Sequence, residues 1–211
     1  ELAEDEDGAR DSFEEFSRKY KVLFTLSKMV RRMSVVDPDF MEQVMERIYG
    51  DATFSDLEIP FLAVATDLYS GEDVALTSGS LAKAVQASAS VPGVFSPVQW
   101  DDWLLVDGYI TKNVPVPEPG EPPLKADVIA VDVQRSLQSP GPWENGIVVV
   151  SRAEWIIQMQ LTRYYLEHAD LVLLPDVRDV HWADFRRIDQ LIEAGQASAA
   201  EKEDEIDRLF G

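Results

Sequence analysis

Apolar residues along this chain recur at two spacings. From Phe13, apolar positions at 13, 16, 20, 23, 24 and 26 fall mostly three or four apart, which predicts a helix over 13–30. Its end is basic at Lys28, Arg31 and Arg32, as suits the negative end of a helix dipole. Asp37-Pro38 opens a second helix, with Asp37 as N-cap, Phe40, Val44 and Ile48 as its stripe, and Gly50 as its stop. The character changes near residue 58. The run Ile59 to Leu68 is short and apolar and reads as a buried strand. Ser70 to Asp73 is a turn, and Val74 to Thr77 a returning strand. Ser80 caps a helix to about Ser88, with Leu81, Ala84, Val85 and Ser88 on one face, and Pro92-Gly93 breaks the chain. Leu104 to Val106 forms a strand ending at Asp107-Gly108.

Downstream, 115–123 is loop, Val128 to Val133 a buried strand and 136–146 a second loop. A long helix follows over 154–167, with Ile157, Leu161, Tyr164 and Tyr165 as its inner face. Leu171 to Leu174 is another strand, Phe185, Ile188, Leu191 and Ile192 mark a helix, and the acidic tail over 197–210 is a last one. Strands alternating with helices predict an α/β sheet. Residues 1–11 are acidic and without periodicity, and read as a disordered lead-in.

Composition narrows the chemistry. The 211 residues are 45% hydrophobic, enough for a sizeable core. With 39 acids against 19 bases the formal net charge is -20, which disfavours nucleic acid and anionic lipid as partners but leaves neutral or zwitterionic lipids and uncharged esters open. There is no cysteine, so disulfides, thiolate metal sites and a thiol nucleophile are excluded. The two histidines, His168 and His181, are too few for a His-rich metal centre, and no metal or cofactor is expected. No stretch reaches the ~18–20 apolar residues of a membrane span. The reading is a cytoplasmic protein of unknown oligomeric state; the start at Glu1 says little about targeting.

The stretch 54–116 carries the most specific signal. It reads FSDLEIPFLAVATDLYSGEDV, then GSLAKAVQASASVPGVFSPV, then LLVDGYITKNVPV, with ADVIAVDV, ADLVLLPDV and DFRRIDQLIEAG further on. In order and spacing these motifs resemble the second half of a bacterial patatin-like phospholipase domain, over about residues 50–195. The resemblance implies a three-layer α/β/α sandwich with a largely parallel central sheet and additional helices at both ends. It implies hydrolysis of lipid acyl esters by a Ser–Asp dyad, with no cofactor, a lipid or other acyl ester as substrate, and peripheral membrane contact as an accompanying possibility. The aspartate of the D-G-[GA] motif falls on Asp107, its glycine on Gly108, and Tyr109 stands where Gly or Ala is usual. Asn113 holds the family's "NVPV" position, where it ties the loop.

The family's other half, a G-x-S-x-G elbow and a glycine-rich oxyanion loop, has no counterpart in this sequence. The expectation is one patatin-like domain over 1–211, cut short on its N-terminal side, inactive by itself; the alternative is a non-catalytic lipid-binding or interaction module on the same fold. A generic doubly wound ligand-binding domain has little behind it without a phosphate-cradling glycine loop.

Read without the resemblance, Asp107 is as well explained as the Asp of a "DG" turn; with it, as a general base at the tip of a strand. Asp67 and Asp132, each ending a strand, read as structural, and Ser88 and Ser90 as close-packing residues. His168 suits a helix C-terminus, His181 is incidental, and 201–207 is a solvated helix face. The helix over 13–30 packs on the sheet edge, caps the cleft or, with its flanking cations, leads lipid to the site.

Overall fold

The computed structural model describes residues 36, 38–117, 127–134, 146–177, 180 and 184–211. The expected helix over 13–30, the lead-in over 1–11, the cap Asp37, the greater part of both predicted loops and His181 lie outside these residues. The chain divides into two compact units, Glu1–Thr111 and Lys112–Gly211.

In the first unit, helix α1 (Pro38–Tyr49) ends at Gly50, whose φ of 53° is the left-handed geometry that stops a helix. Met41, Val44 and Met45 are its buried residues, whereas Phe40 and Ile48, expected in the stripe, are only half-buried. The sheet follows as β1 (Ala63–Asp67), β2 (Asp73–Leu76), β3 (Val98–Trp100) and β4 (Trp103–Asp107), in the order β2-β1-β4-β3. All three pairings are antiparallel.

The expected α/β character therefore holds, but the largely parallel central sheet is not what the described residues form. Connection length is the reason for two of the three pairings, β1 with β2 and β3 with β4. Asp101-Asp102 alone joins β3 to β4, and a short turn through Gly71 joins β1 to β2; a parallel pair needs a crossover of about a dozen residues or more. The strand β3 was not foreseen; Asp101, at φ 49°, supplies the tight turn that creates it. The first strand also starts later than its apolar run. Ile59, Phe61 and Leu62 are exposed, and burial begins at Ala63, after which all five residues of β1 are buried.

Helix α2 (Leu81–Ser88) covers this sheet, putting Ala84 and Ala87 against Ala63, Ala65, Leu76, Val98 and Leu105. Small residues on both sides let helix and strand approach closely. The helix starts where expected: Ser80 Oγ accepts from the Lys83 N–H at 3.3 Å. The Leu81 N–H donates to Ala52 O at 2.9 Å, fixing the entry angle. Ser80→Ala should destabilise the protein by about 1 kcal/mol in urea unfolding, and Ser80→Asp should restore it, because either oxygen satisfies the orphan donor.

The second unit holds β5 (Ile129–Val131) and β6 (Leu171–Leu173), paired parallel in register Ala130 to Val172. The one-turn α3 (Tyr109–Lys112) precedes β5, and the connection from β5 to β6 does contain a crossover helix, α4 (Gly146–Leu166). Val114, Val116, Ala130 and Tyr165 form the core. The inner face of α4 is the expected one in part: Tyr165 is buried and Leu161 packs on the core, but Gln158 and Thr162 are buried beside them, while Ile157 and Tyr164 are exposed. Two helices complete the unit, α5 (Ile188–Glu201) and α6 (Glu203–Phe210), broken at Lys202 rather than running as one tail helix from 197.

Candidate active site

Two aspartates stand on the β1–β4 ladder, and their surroundings sort them. Asp67, at the end of β1, lies opposite Leu105; Asp107, at the end of β4, lies opposite Ala65. Antiparallel pairing puts the two carboxylates at opposite ends of the same pair of strands.

Asp67 is buried and saturated. Its Oδ2 accepts from Ser70 Oγ at 2.8 Å and from the Ser70 N–H at 3.0 Å, and its Oδ1 accepts from the Leu104 N–H at 3.0 Å. Burial pushes this carboxyl up, but the Ser70 hydroxyl and the N–H groups of Leu104, Ser70 and Tyr69 outweigh it and hold it below its ordinary value. It ties the β1–β2 turn to β4, the structural role its position suggested.

Asp107 has the opposite setting. Its backbone is fixed on two sides: its N–H donates to Ser90 O at 3.0 Å, and Thr66 Oγ1 donates to its carbonyl at 3.2 Å. Thr66 Oγ1 also meets Thr111 Oγ1 at 2.8 Å, closing the turn. The half-buried carboxylate receives one hydrogen bond, at Oδ1 from the Tyr109 N–H at 2.9 Å. Among the described residues, nothing donates to Oδ2. Burial raises its pKa to about 6, the Tyr109 N–H opposing. One oxygen is held and one is left open, on a carboxyl that is a stronger base than an ordinary aspartate.

Tyr109 departs from the family pattern, but what it contributes is a backbone N–H, which any residue except proline has. Thr66 and Thr111 were not legible as supports of this turn, because two hydroxyls 45 positions apart carry no local signal.

Gly108 is explained by close approach, not by a left-handed φ. A Cβ there would lie 2.3 Å from Val64 O and 2.8 Å from Val64 C, so only glycine lets the turn press on β1. Asn113 falls in the second unit, where its Nδ2 donates to Thr162 Oγ1 at a long 3.5 Å. Ser88 and Ser90 spend their hydroxyls on backbone carbonyls, Ser88 on Val64 and Ser90 on Gln86, both at 2.7 Å. His168 Nδ1 meets Tyr164 O at 2.9 Å, inside its own helix end. Asp132 Oδ1 accepts from the Gln134 N–H at 2.9 Å.

The raised value at Asp107 has a consequence for stability. Its folded pKa, about 6, lies above the unfolded value near ~3.9, so the folded state holds the proton more tightly. The associated stabilisation is complete below about pH 4 and is lost as pH rises through about 6. Asp107→Asn keeps an acceptor for the Tyr109 N–H and removes the charge. The variant should therefore exceed the wild type in urea stability at pH 8, by at most about 3 kcal/mol, with the gap closing toward pH 4. Equal stabilities at pH 8 would contradict the desolvation of this group.

A family model described as patatin-like phospholipase matches residues 2–119, more than half of the chain. An uncharacterized NTE family protein of Mycobacterium tuberculosis is 25% identical over 183 residues, covering 75% of this chain and 31% of that protein. A second from the same organism is 33% identical over 140 residues, covering 65% of this chain and 37% of its own length. Patatin-like phospholipase domain-containing protein 7 of Mus musculus is 34% identical over 91 residues, covering 42% of this chain and 7% of that protein. The chain thus spans about a third of the length of the two bacterial relatives. With more than half its residues matched by the family model, and the D-G turn built tightly against β1, the chain belongs to the patatin-like phospholipase family.

Proposed function

We propose that this chain is the base-bearing part of a serine acyl hydrolase acting on lipid esters, within one patatin-like domain. Asp107 is the general base of a Ser–Asp dyad. The serine hydroxyl and the oxyanion donors come from residues of the parent protein outside this chain, because the sequence holds no G-x-S-x-G elbow. The observation that carries the reading is the state of Asp107: half-buried, raised to about 6, and held at one oxygen only. A serine hydroxyl within ~2.6–3.2 Å of the open oxygen would pass its proton to the carboxylate as it attacks the ester carbonyl. The carboxylic acid then returns that proton to the leaving alcohol, and water repeats the cycle on the acyl-enzyme. Asp67 is unsuited to this part because its oxygens are already engaged.

The test is hydrolysis of p-nitrophenyl acyl esters by the full-length parent, wild type against Asp107→Asn. Turnover that survives the substitution at the wild-type rate removes the base from this position. A second reading, a non-catalytic lipid-binding module, is favoured by the missing elbow. The residues encoded before Glu1 decide between the two: a G-x-S-x-G at a strand-to-helix turn supports the enzyme, and its absence supports the module.

A further inference from the structure

Thr66 is 3% exposed in a strand buried throughout, where a valine of the same shape would fill the space. What the hydroxyl adds is its hydrogen bonds. Ala63 and Ala65 pack against α2, so alternation along β1 turns Thr66 to the other face of the sheet. Asp107 lies opposite Ala65, on the face that α2 covers. Thr66 Oγ1 thus meets Asp107 at its carbonyl, at 3.2 Å, and not at its carboxylate. A hydroxyl has one proton, and this one is spent on that carbonyl. The proton between Thr66 Oγ1 and Thr111 Oγ1, 2.8 Å apart, is then the one Thr111 carries. The hydrogen bonds run from Thr111 to Thr66 to the Asp107 carbonyl, and donation by Thr111 strengthens the longer second bond.

We propose that Thr66, backed by Thr111, is a positioning residue for the Asp107 carboxylate: its hydroxyl pins the peptide plane between Asp107 and Gly108, and so aims the Tyr109 N–H at Oδ1 and leaves Oδ2 to the nucleophile. The role rests on Asp107 being the base. That plane needs an anchor from outside because Gly108 follows it. Close approach to Val64 demands glycine there, and glycine is the residue whose backbone is freest to turn. Ser90 O fixes the other side of Asp107, through the N–H at 3.0 Å. The 2.9 Å bond from the Tyr109 N–H to Oδ1 spans the Asp107–Gly108 plane, so a rotation of the plane breaks it. Of the charged residues around the turn, Asp67, Asp101 and Asp102 lie at the far end of the ladder and Asp73 lies opposite Thr66 on β2. Lys83 stands over the Trp100 ring, and Lys112 over the Tyr165 ring. The influences on the Asp107 carboxyl are burial and the Tyr109 N–H. Loss of that N–H with burial kept moves the group further up.

The test measures hydrolysis of p-nitrophenyl acyl esters by the full-length parent and its variants across pH. Thr66→Val should lower kcat about 10–100-fold with KM unchanged, because a misaimed base loses reach and not substrate. The wild-type bend in log kcat/KM, at about pH 6, should move upward in Thr66→Val. Thr66→Ser keeps the hydroxyl and should restore most of the lost rate. Thr111→Val should give a smaller loss with the same upward move. In an Asp107→Asn background Thr66→Val should cost nothing more, because it acts through that carboxylate. A wild-type kcat in folded Thr66→Val overturns the proposal, as does a bend that stays or falls toward the ordinary ~4. So does an equal loss in Thr66→Ser, or an undiminished loss in the Asp107→Asn background. Should Thr66→Val not fold, a wild-type rate and bend in Thr111→Val, at a half-buried residue, overturns it equally. Any of these beside an inactive Asp107→Asn leaves the base in place and removes only its support, whereas a wild-type rate in Asp107→Asn removes both.

Discussion

In the full-length parent, Asp107→Asn should lower kcat on acyl esters by about 10²–10⁴-fold, the usual contribution of a positioned general base. KM should change little, because the asparagine keeps the shape of the side chain and still accepts from the Tyr109 N–H. The pH profile separates this loss from a structural one. With its pKa raised to about 6, the wild-type base is protonated in acid and free above. The logarithm of kcat/KM should rise with a slope of one up to about pH 6 and then level. An ordinary surface aspartate would place that bend near ~4. The variant's residual rate should lack the bend. Because the same substitution is expected to stabilise the fold at pH 8, lost activity together with raised stability would mark Asp107 as a group kept for chemistry at the expense of the fold. A wild-type rate in the variant would end the assignment.

How far the sequence could be read depended on whether the deciding interactions were local. Helix α2 was legible at both ends, because Ser80, the small-residue face and the Pro92-Gly93 break act within a few residues of themselves. The presence of β1 and of β2 as its returning strand was legible, but not the pairing of β1 with β4: a strand buried throughout loses the alternation that would mark its other neighbour. The two antiparallel hairpins followed from the short links at Gly71 and Asp101-Asp102, which the expectation of a parallel sheet overrode. Helix α4 misled for a different reason. Its apolar residues spread around the axis, and nothing in the sequence says that Gln158 and Thr162 turn inward with Leu161 and Tyr165 while Ile157 and Tyr164 turn out.

The two aspartates show the limit most clearly. Both follow apolar strands and precede turns, and their local sequences are alike in kind. What separates them is remote: Asp67 receives the Leu104 N–H from a strand 37 positions away, and Asp107 stands half-buried with one oxygen open. The motif pointed to Asp107; the hydrogen bonds give a physical reason for preferring it.

Gly108→Ala should be the most damaging single-methyl change in the first unit. The added Cβ would lie 2.3 Å from Val64 O, 2.8 Å from Val64 C and 3.2 Å from Val64 Cγ1. Two of these three atoms are backbone, so no rotamer change relieves the clash. The turn must lift from β1, or β1 must bend, against the Ala65 to Asp107 pairing and the Thr66 to Asp107 hydrogen bond. Overpacking of this kind costs about 1–3 kcal/mol where side chains give way and more where they cannot, so a loss of about 3 kcal/mol or more is expected in urea unfolding. Gly71→Ala is the control. Nothing lies within 4 Å of a Cβ there, but its φ of 78° strains any L residue, for a loss of about 1–2 kcal/mol. The two variants differ in kind as well as size. Strain at Gly71 is confined to a turn on the Asp67 side of the ladder, so catalysis by the folded parent should persist. Displacement at Gly108 moves the residue bonded to Asp107, so turnover should fall even below the temperature at which the variant unfolds. A Gly108→Ala protein as stable and active as the wild type would mean that the turn does not press on β1 and that Asp107 is not held where this structure places it.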